Sequence, residues 1–236
     1  METFEAIIRD IHIRADKKKA LLLQRFFKTG KGEYGEGDIF LGLVMPQVHM
    51  IVLKYKKTAT LEDIRKLLET NIHEYRMVAL LLLVEKCKKA TPEELKQFAD
   101  FYLTHTRYIN NWDLVDLSSH KVVGRYLVEN PKERNILLKL AKSKSLWERR
   151  IAMISCAAFI GNNQFNDALA VAQILLHDEH DLIHKAVGWM LREIGKRDQK
   201  VEEDFLLKRY TTMPRTMLRY AIERFPEPKR RFYLKR

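Results

Sequence analysis

Four residues combine types that could do chemistry: Trp112, Asp116, Arg150 and Trp189. A carboxylate can stabilise a developing cation. The faces of two indoles can attract the same charge through their π systems, and a guanidinium fork can hold an oxyanion. Trp112 and Asp116 are four residues apart, which places them on one face of a helix. Arg150 and Trp189 are distant in sequence, so only the architecture can bring them to the same side of the molecule as the first pair.

That architecture is legible as a repeat. The segments IHEYRMVALLLLVEK (72–86), INNWDLVDLSSHKVV (109–123), LWERRIAMISCAAFI (146–160), LIHKAVGWMLREIGK (182–196) and MPRTMLRYAIERF (213–225) overlay, with starts 37, 37, 36 and 31 residues apart. Two helices per unit at such a period predict a helical-repeat solenoid. The tetratricopeptide signature is absent, which leaves a HEAT-like all-α superhelix as the expected fold. In this register Ala79, Asp116, Met153, Trp189 and Tyr220 share one position, and Arg150 lies three residues before it. A concave, basic face carrying Trp112, Asp116, Arg150 and Trp189 is the expectation. The same residues have plainer uses: a helical Trp can be core, and Asp116 can pair with Arg149 or Arg150 between adjacent repeats.

The first helix of each pair is read from its start. Thr60 precedes LEDIRKLLE (61–69) with Asp63 three residues on, and Thr91 precedes Pro92 in TPEELKQFADFYL (91–103). Asn166 is the expected cap of 166–176. Before the repeats, a helix through 17–27 leads into KTGKGEYGEGD (28–38). No strand precedes that segment and no Gly-Lys-Ser/Thr follows, so a phosphate loop is excluded and a flexible connector is expected. One domain over 1–236 is expected, comprising N-terminal helices and connector (1–58), helix pairs (59–225) and a basic tail (226–236).

Composition agrees with this plan. Lys and Arg number 43 against 31 Asp and Glu, a formal charge of +12 that suggests a polyanionic partner. With 46% hydrophobic and 31% charged residues the chain can build a core, and six Pro with nine Gly disfavour a turn-rich β-sandwich. Cys87 and Cys156 cannot form a disulfide framework and no CxxC pair suggests zinc. The first ten residues lack a signal-peptide pattern, and the longest apolar run, 77–84, is too short to cross a bilayer. A soluble cytoplasmic protein, with no membrane association, is expected.

Over FLGLVMP (40–46), INNWDLVD (109–116), LWERRIAM (146–153), LIHKAVGWMLREIGKRD (182–198) and MPRTMLRYAIERFP (213–226), the chain resembles the bacterial DNA alkylation repair glycosylases built from HEAT-like repeats, the AlkD type. The resemblance implies base excision repair of cationic 3-methyladenine and 7-methylguanine in duplex DNA, working on the lesion without enclosing it, where many glycosylases flip the base into a pocket. It places active-site roles on Trp112, Asp116, Arg150 and Trp189. Asp116 would stabilise an oxocarbenium-like sugar and position water. Trp112 and Trp189 would cradle the deoxyribose, and Arg150 would hold a phosphate. Where the family pattern carries a tryptophan pair, this chain has Asn111-Trp112; Val44 stands where a glutamine can occur, and Phe26 where a tyrosine can.

Further candidates for DNA contact are Arg149, Lys185, Arg192, Lys196 and Arg219. The acidic and histidine cluster 177–181 reads as a turn in which Asp178 or Asp181 caps the next helix, not as a metal site. His73 and His184 are expected to face solvent or pack between repeats. No cofactor or metal is called for, and the expected species is a monomer on alkylated double-stranded DNA. Two rival readings are a non-catalytic repeat protein that binds DNA structure and a protein-binding scaffold.

Overall fold

The computed structural model describes residues 3–235. Among these the chain is all-α, and the single extended pairing is an isolated parallel bridge between Ile39 and Ile72. No described helix is long and apolar enough to cross a membrane. Contacts divide the chain into two compact units, Met1–Ser118 and Ser119–Arg236.

The first unit is organised around helix His73–Cys87, in which every residue from His73 to Val84 is buried. Beyond His73, Glu74 and Arg76 the stretch is apolar around its circumference, and such a helix must be covered on all sides. Met45–Tyr55, Leu61–Leu68 and Pro92–Thr104 supply that cover, with Thr3–His12 behind them. The expected caps form. The Thr60 side chain accepts from the Asp63 amide at 3.1 Å while Asp63 accepts from the Thr60 amide at 2.8 Å. Thr91 and Glu94 repeat the arrangement, with Pro92 in the first turn. Each such cap stabilises its helix by about 1 kcal/mol.

The second unit stacks Leu146–Ser155, Asp181–Gly195 and Arg215–Ala221 as successive inner helices. Asn135–Ala141, Asn166–Ile174 and Gln199–Leu207 pack alongside. Gly188 allows a close approach within this stack: a Cβ there would lie 2.4 Å from the Met217 carbonyl oxygen and 2.5 Å from Tyr220 Cβ. The basic tail is not a loose end, because Glu227–Leu234 is helical and buries Tyr233 against Tyr210 and Phe225.

Two caps differ from expectation. Asn166 lies inside its helix, after Phe165, and makes no cap. At Asp181–Gly195 the cap is His180, whose Nδ1 accepts from the Leu182 amide at 3.1 Å; Asp178 is drawn instead to Arg149 and to the His180 amide. Cys87 and Cys156 are buried and unbridged.

Candidate active site

Helix Trp112–Ser119 begins at a built-in brace. The Asn111 side-chain oxygen accepts from the Trp112 amide at 2.8 Å, and its Nδ2 donates to Asp38 Oδ2 at 3.3 Å. Asn111 is wholly buried. It thereby ties the helix start to the connector, a use for the residue that stands beside Trp112 in place of a second tryptophan. Leu114, Val115 and Ser118 are buried, leaving Trp112 and Asp116 half-buried one turn apart.

The Trp112 ring has a fixed bed. It stacks on Phe27 with centroids 5.3 Å apart and meets Phe26 edge-on at 6.1 Å. Phe27 stacks on Phe40 at 5.0 Å, and Phe40 on His73 at 4.3 Å. Offset and edge contacts of this kind add stability beyond area burial and restrict ring orientation. Next to Asp116, the Tyr102 hydroxyl and Ser118 Oγ pair at 2.9 Å. Burial, opposed by Ser118 and reinforced by the Asp116 charge, holds the Tyr102 phenol far above its ordinary pKa, so it stays neutral.

Beneath the stack runs a polar network around His73, which was expected to face solvent or pack between repeats and is buried. His73 is 3% exposed; its Nδ1 lies 3.1 Å from Asp38 Oδ2 and its Nε2 lies 2.9 Å from Asp113 Oδ2. Arg76 Nη2 sits 2.6 Å from Asp38 Oδ1, and Arg76 also donates to Asn110 Oδ1. Burial would push the Asp38 carboxyl up, but His73 and Arg76 outweigh it and hold the pKa below the usual range. The available signal was Asp113, set directly between Trp112 and Leu114 in the W-D-L-V-D run.

The connector 28–38 is accordingly folded, contrary to the expected slack segment. Glu33 accepts from the Gly30 amide at 2.9 Å, Glu36 from the Gly32 amide at 2.8 Å, and Asp38 is buried at its end. Just beyond it, Glu74 accepts from the amides of Leu41, Gly42 and Leu43 at 2.8 to 3.2 Å. Gly42 has φ +92°, and a Cβ there would meet the Asp16 carbonyl oxygen at 2.1 Å, so glycine is required.

In the second unit Trp189 is half-buried and its Nε1 donates to Glu193 Oε1 at 3.2 Å. Arg150 is buried and donates through Nη1 to the Leu182 carbonyl. Most of the other basic candidates have acidic neighbours. Arg149 pairs with Asp178 at 2.6 Å, Lys185 with Asp181 at 2.7 Å, Lys196 with Glu193 at 2.6 Å, and Arg192 with Glu223. Arg219 is exposed on helix Arg215–Ala221. At the shared repeat position Ala79 and Met153 are fully buried, whereas Asp116 and Trp189 are half-buried and Tyr220 is exposed. Among the described residues no group of His, Cys, Asp and Glu could hold a metal ion.

The chain matches the family model described as DNA alkylation repair enzyme over residues 7–225. It is similar to a solved structure described as a predicted DNA alkylation repair enzyme from Enterococcus faecalis. The identity is 18%, the match covers 91% of this chain and 98% of that one, and the TM-score is 0.71. At that identity the likeness concerns the fold. Curated proteins give no match.

Proposed function

Since this chain belongs to the DNA alkylation repair enzyme family, we propose that it is a glycosylase that hydrolyses the N-glycosidic bond of N3- and N7-alkylated purines in duplex DNA. Alkylation at those nitrogens makes the purine a cation and a good leaving group. No acid is needed to protonate it, and the remaining barrier is the oxocarbenium-like sugar. The Asp116 carboxylate stabilises that sugar and orients the attacking water on it. The π face of Trp112 is assigned to the same charge, and Trp189 is assigned the same role.

Arg150 is the guanidinium assigned to the phosphate beside the lesion, with Arg149, Lys185, Arg192, Lys196 and Arg219 assigned to the flanking backbone. Lys185 and Lys196 would exchange a carboxylate for a phosphate. Exposed pairs of this kind are worth only about 0–1 kcal/mol, so the exchange is inexpensive. The protein acts as a cytoplasmic monomer without metal or cofactor.

The observation that carries this reading is the half-buried Asp116 one helical turn from an indole whose plane is fixed by Phe27. The test is release of 7-methylguanine from methylated duplex DNA by the wild type and by Asp116→Asn. The variant is expected to bind duplex like the wild type and to release no base. Release at the wild-type rate removes Asp116 from the mechanism. Salt-sensitive duplex binding with no release by the wild type replaces the enzyme with a DNA-structure-binding protein.

A further inference from the structure

His73 lies at the junction of three parts of the first unit. Its own helix, His73–Cys87, is the core of that unit. One ring nitrogen faces Asp38 of the connector and the other faces Asp113 of the site helix, 35 and 40 residues away in sequence. The ring is stacked on Phe40 and lies 5.2 Å from Phe27, the residue on which Trp112 rests.

An ionised carboxylate can only accept hydrogen bonds, and a neutral imidazole carries one N–H. Two carboxylates facing the two ring nitrogens are both satisfied when the ring carries two protons. A neutral ring would set a lone pair against one of the carboxylates in a site with almost no water. Asp38 is kept ionised by Arg76, whose Nη2 is 2.6 Å from its other oxygen. The charged groups facing the imidazole are therefore Asp38 from the connector, Asp113 from the site helix and Arg76 from its own helix.

We propose that His73 is a positioning residue of the base-release reaction: as an imidazolium it bridges Asp38 and Asp113, fixing the Trp112 ring and the turn that carries Asp116. The role rests on the reading of Trp112 and Asp116 given above. His73 touches no substrate; it acts through the residues on either side of Trp112, since Asn111 is held by the same Asp38 oxygen. Loss of the second proton leaves one N–H for two carboxylates, so the bridge opens at Asp113, in the first turn of helix Trp112–Ser119, or at Asp38, which holds Asn111 at its start.

The direction of the titration agrees. Burial alone would lower the His73 pKa. The Asp113 charge and the hydrogen bonds to Asp113 and Asp38 outweigh burial and the Arg76 charge, and push it up to about 8. The bridge is thus complete at neutral pH and is lost as pH rises through about 8.

The experiment has two arms on the full chain. In the first, imidazole nitrogen NMR follows His73 from pH 6 to 9.5, and protein labelled with 5-fluorotryptophan reports on Trp112, its signal assigned by loss in Trp112→Phe. A doubly protonated His73 at pH 7, and a Trp112 resonance that moves with the same midpoint near 8, are expected. In Asp113→Asn the amide can donate to a neutral ring, so the Trp112 transition should disappear from this range. In the second arm, single-turnover release of 7-methylguanine should fall by roughly tenfold per pH unit above the midpoint in the wild type and stay flat in Asp113→Asn. A neutral His73 at pH 7, or a Trp112 signal indifferent to its titration, overturns the proposal. Absence of base release at every pH sinks the glycosylase reading alone, because the first arm still judges the bridge without any turnover.

Discussion

The indole of Trp112 and the ring of Phe27 lie nearly parallel, 20° apart with centroids separated by 5.3 Å. Phe27 is itself buried between that indole and Phe40, so the candidate site rests on a residue with no chemistry of its own.

Phe27→Leu keeps the site apolar and removes the stacking plane. It should cost about 1–2 kcal/mol of stability, measured by denaturant unfolding. Single-turnover base release should drop by roughly tenfold or more, since small misplacements of reacting groups are expensive. Duplex affinity should change much less. A variant that excises normally would show that the orientation of Trp112 does not matter.

Gly188→Ala would place a methyl group against the Met217 carbonyl and Tyr220 Cβ. Both contacts involve main chain or its first side-chain atom, so helices Asp181–Gly195 and Arg215–Ala221 must separate. A loss of about 1–3 kcal/mol, seen as a lower Tm, is expected. Trp189, the next residue, should show a changed fluorescence maximum in the same variant.

Glu202 is 1% exposed, and burial, with help from the Glu203 charge and against that of Arg192, raises its pKa to about 9. Between its unfolded value near 4.5 and about 9, the folded chain holds a proton that the unfolded chain releases. Stability therefore falls as pH rises through that window. Glu202→Gln removes this dependence. Its Tm should equal that of the wild type near pH 4 and exceed it increasingly up to pH 9, by roughly 2–4 °C per kcal/mol. His73 is present in both proteins, so its own contribution cancels. Parallel Tm curves would mean that Glu202 is already ionised in the fold.

Arg219 and Arg149 are both assigned to the DNA backbone, but Arg149 is also an internal tie. Arg219→Ala should lower duplex affinity and reduce the slope of log affinity against log salt by roughly 0.9, with Tm unchanged. Arg149 holds Asp178 and the carbonyls of Ser143 and Lys144. Arg149→Ala should therefore lower Tm as well. Equal salt slopes in wild type and Arg219→Ala would remove Arg219 from the DNA contact.

The inner helices were readable because their apolar residues recur at helical spacing, and Thr60 and Thr91 because their caps are local. Trp112, Asp116 and Trp189 stood out for a related reason: they break a pattern that Ala79 and Met153 keep. Three features escaped. The cap at His180 uses an imidazole nitrogen, outside the usual set of capping oxygens. The order of the connector depends on Asp38 meeting a histidine 35 residues away, and no local pattern encodes such a meeting. Asp113 likewise reads as a solvated helix residue until its partner, 40 positions upstream, is placed beside it.

The repeat position shared by Ala79, Asp116, Met153, Trp189 and Tyr220 has an evolutionary consequence. In the overlay the same slot holds buried Ala79 and Met153, half-buried Asp116 and Trp189, and exposed Tyr220. A repeat scaffold of this kind can gain or lose reactive groups one substitution at a time.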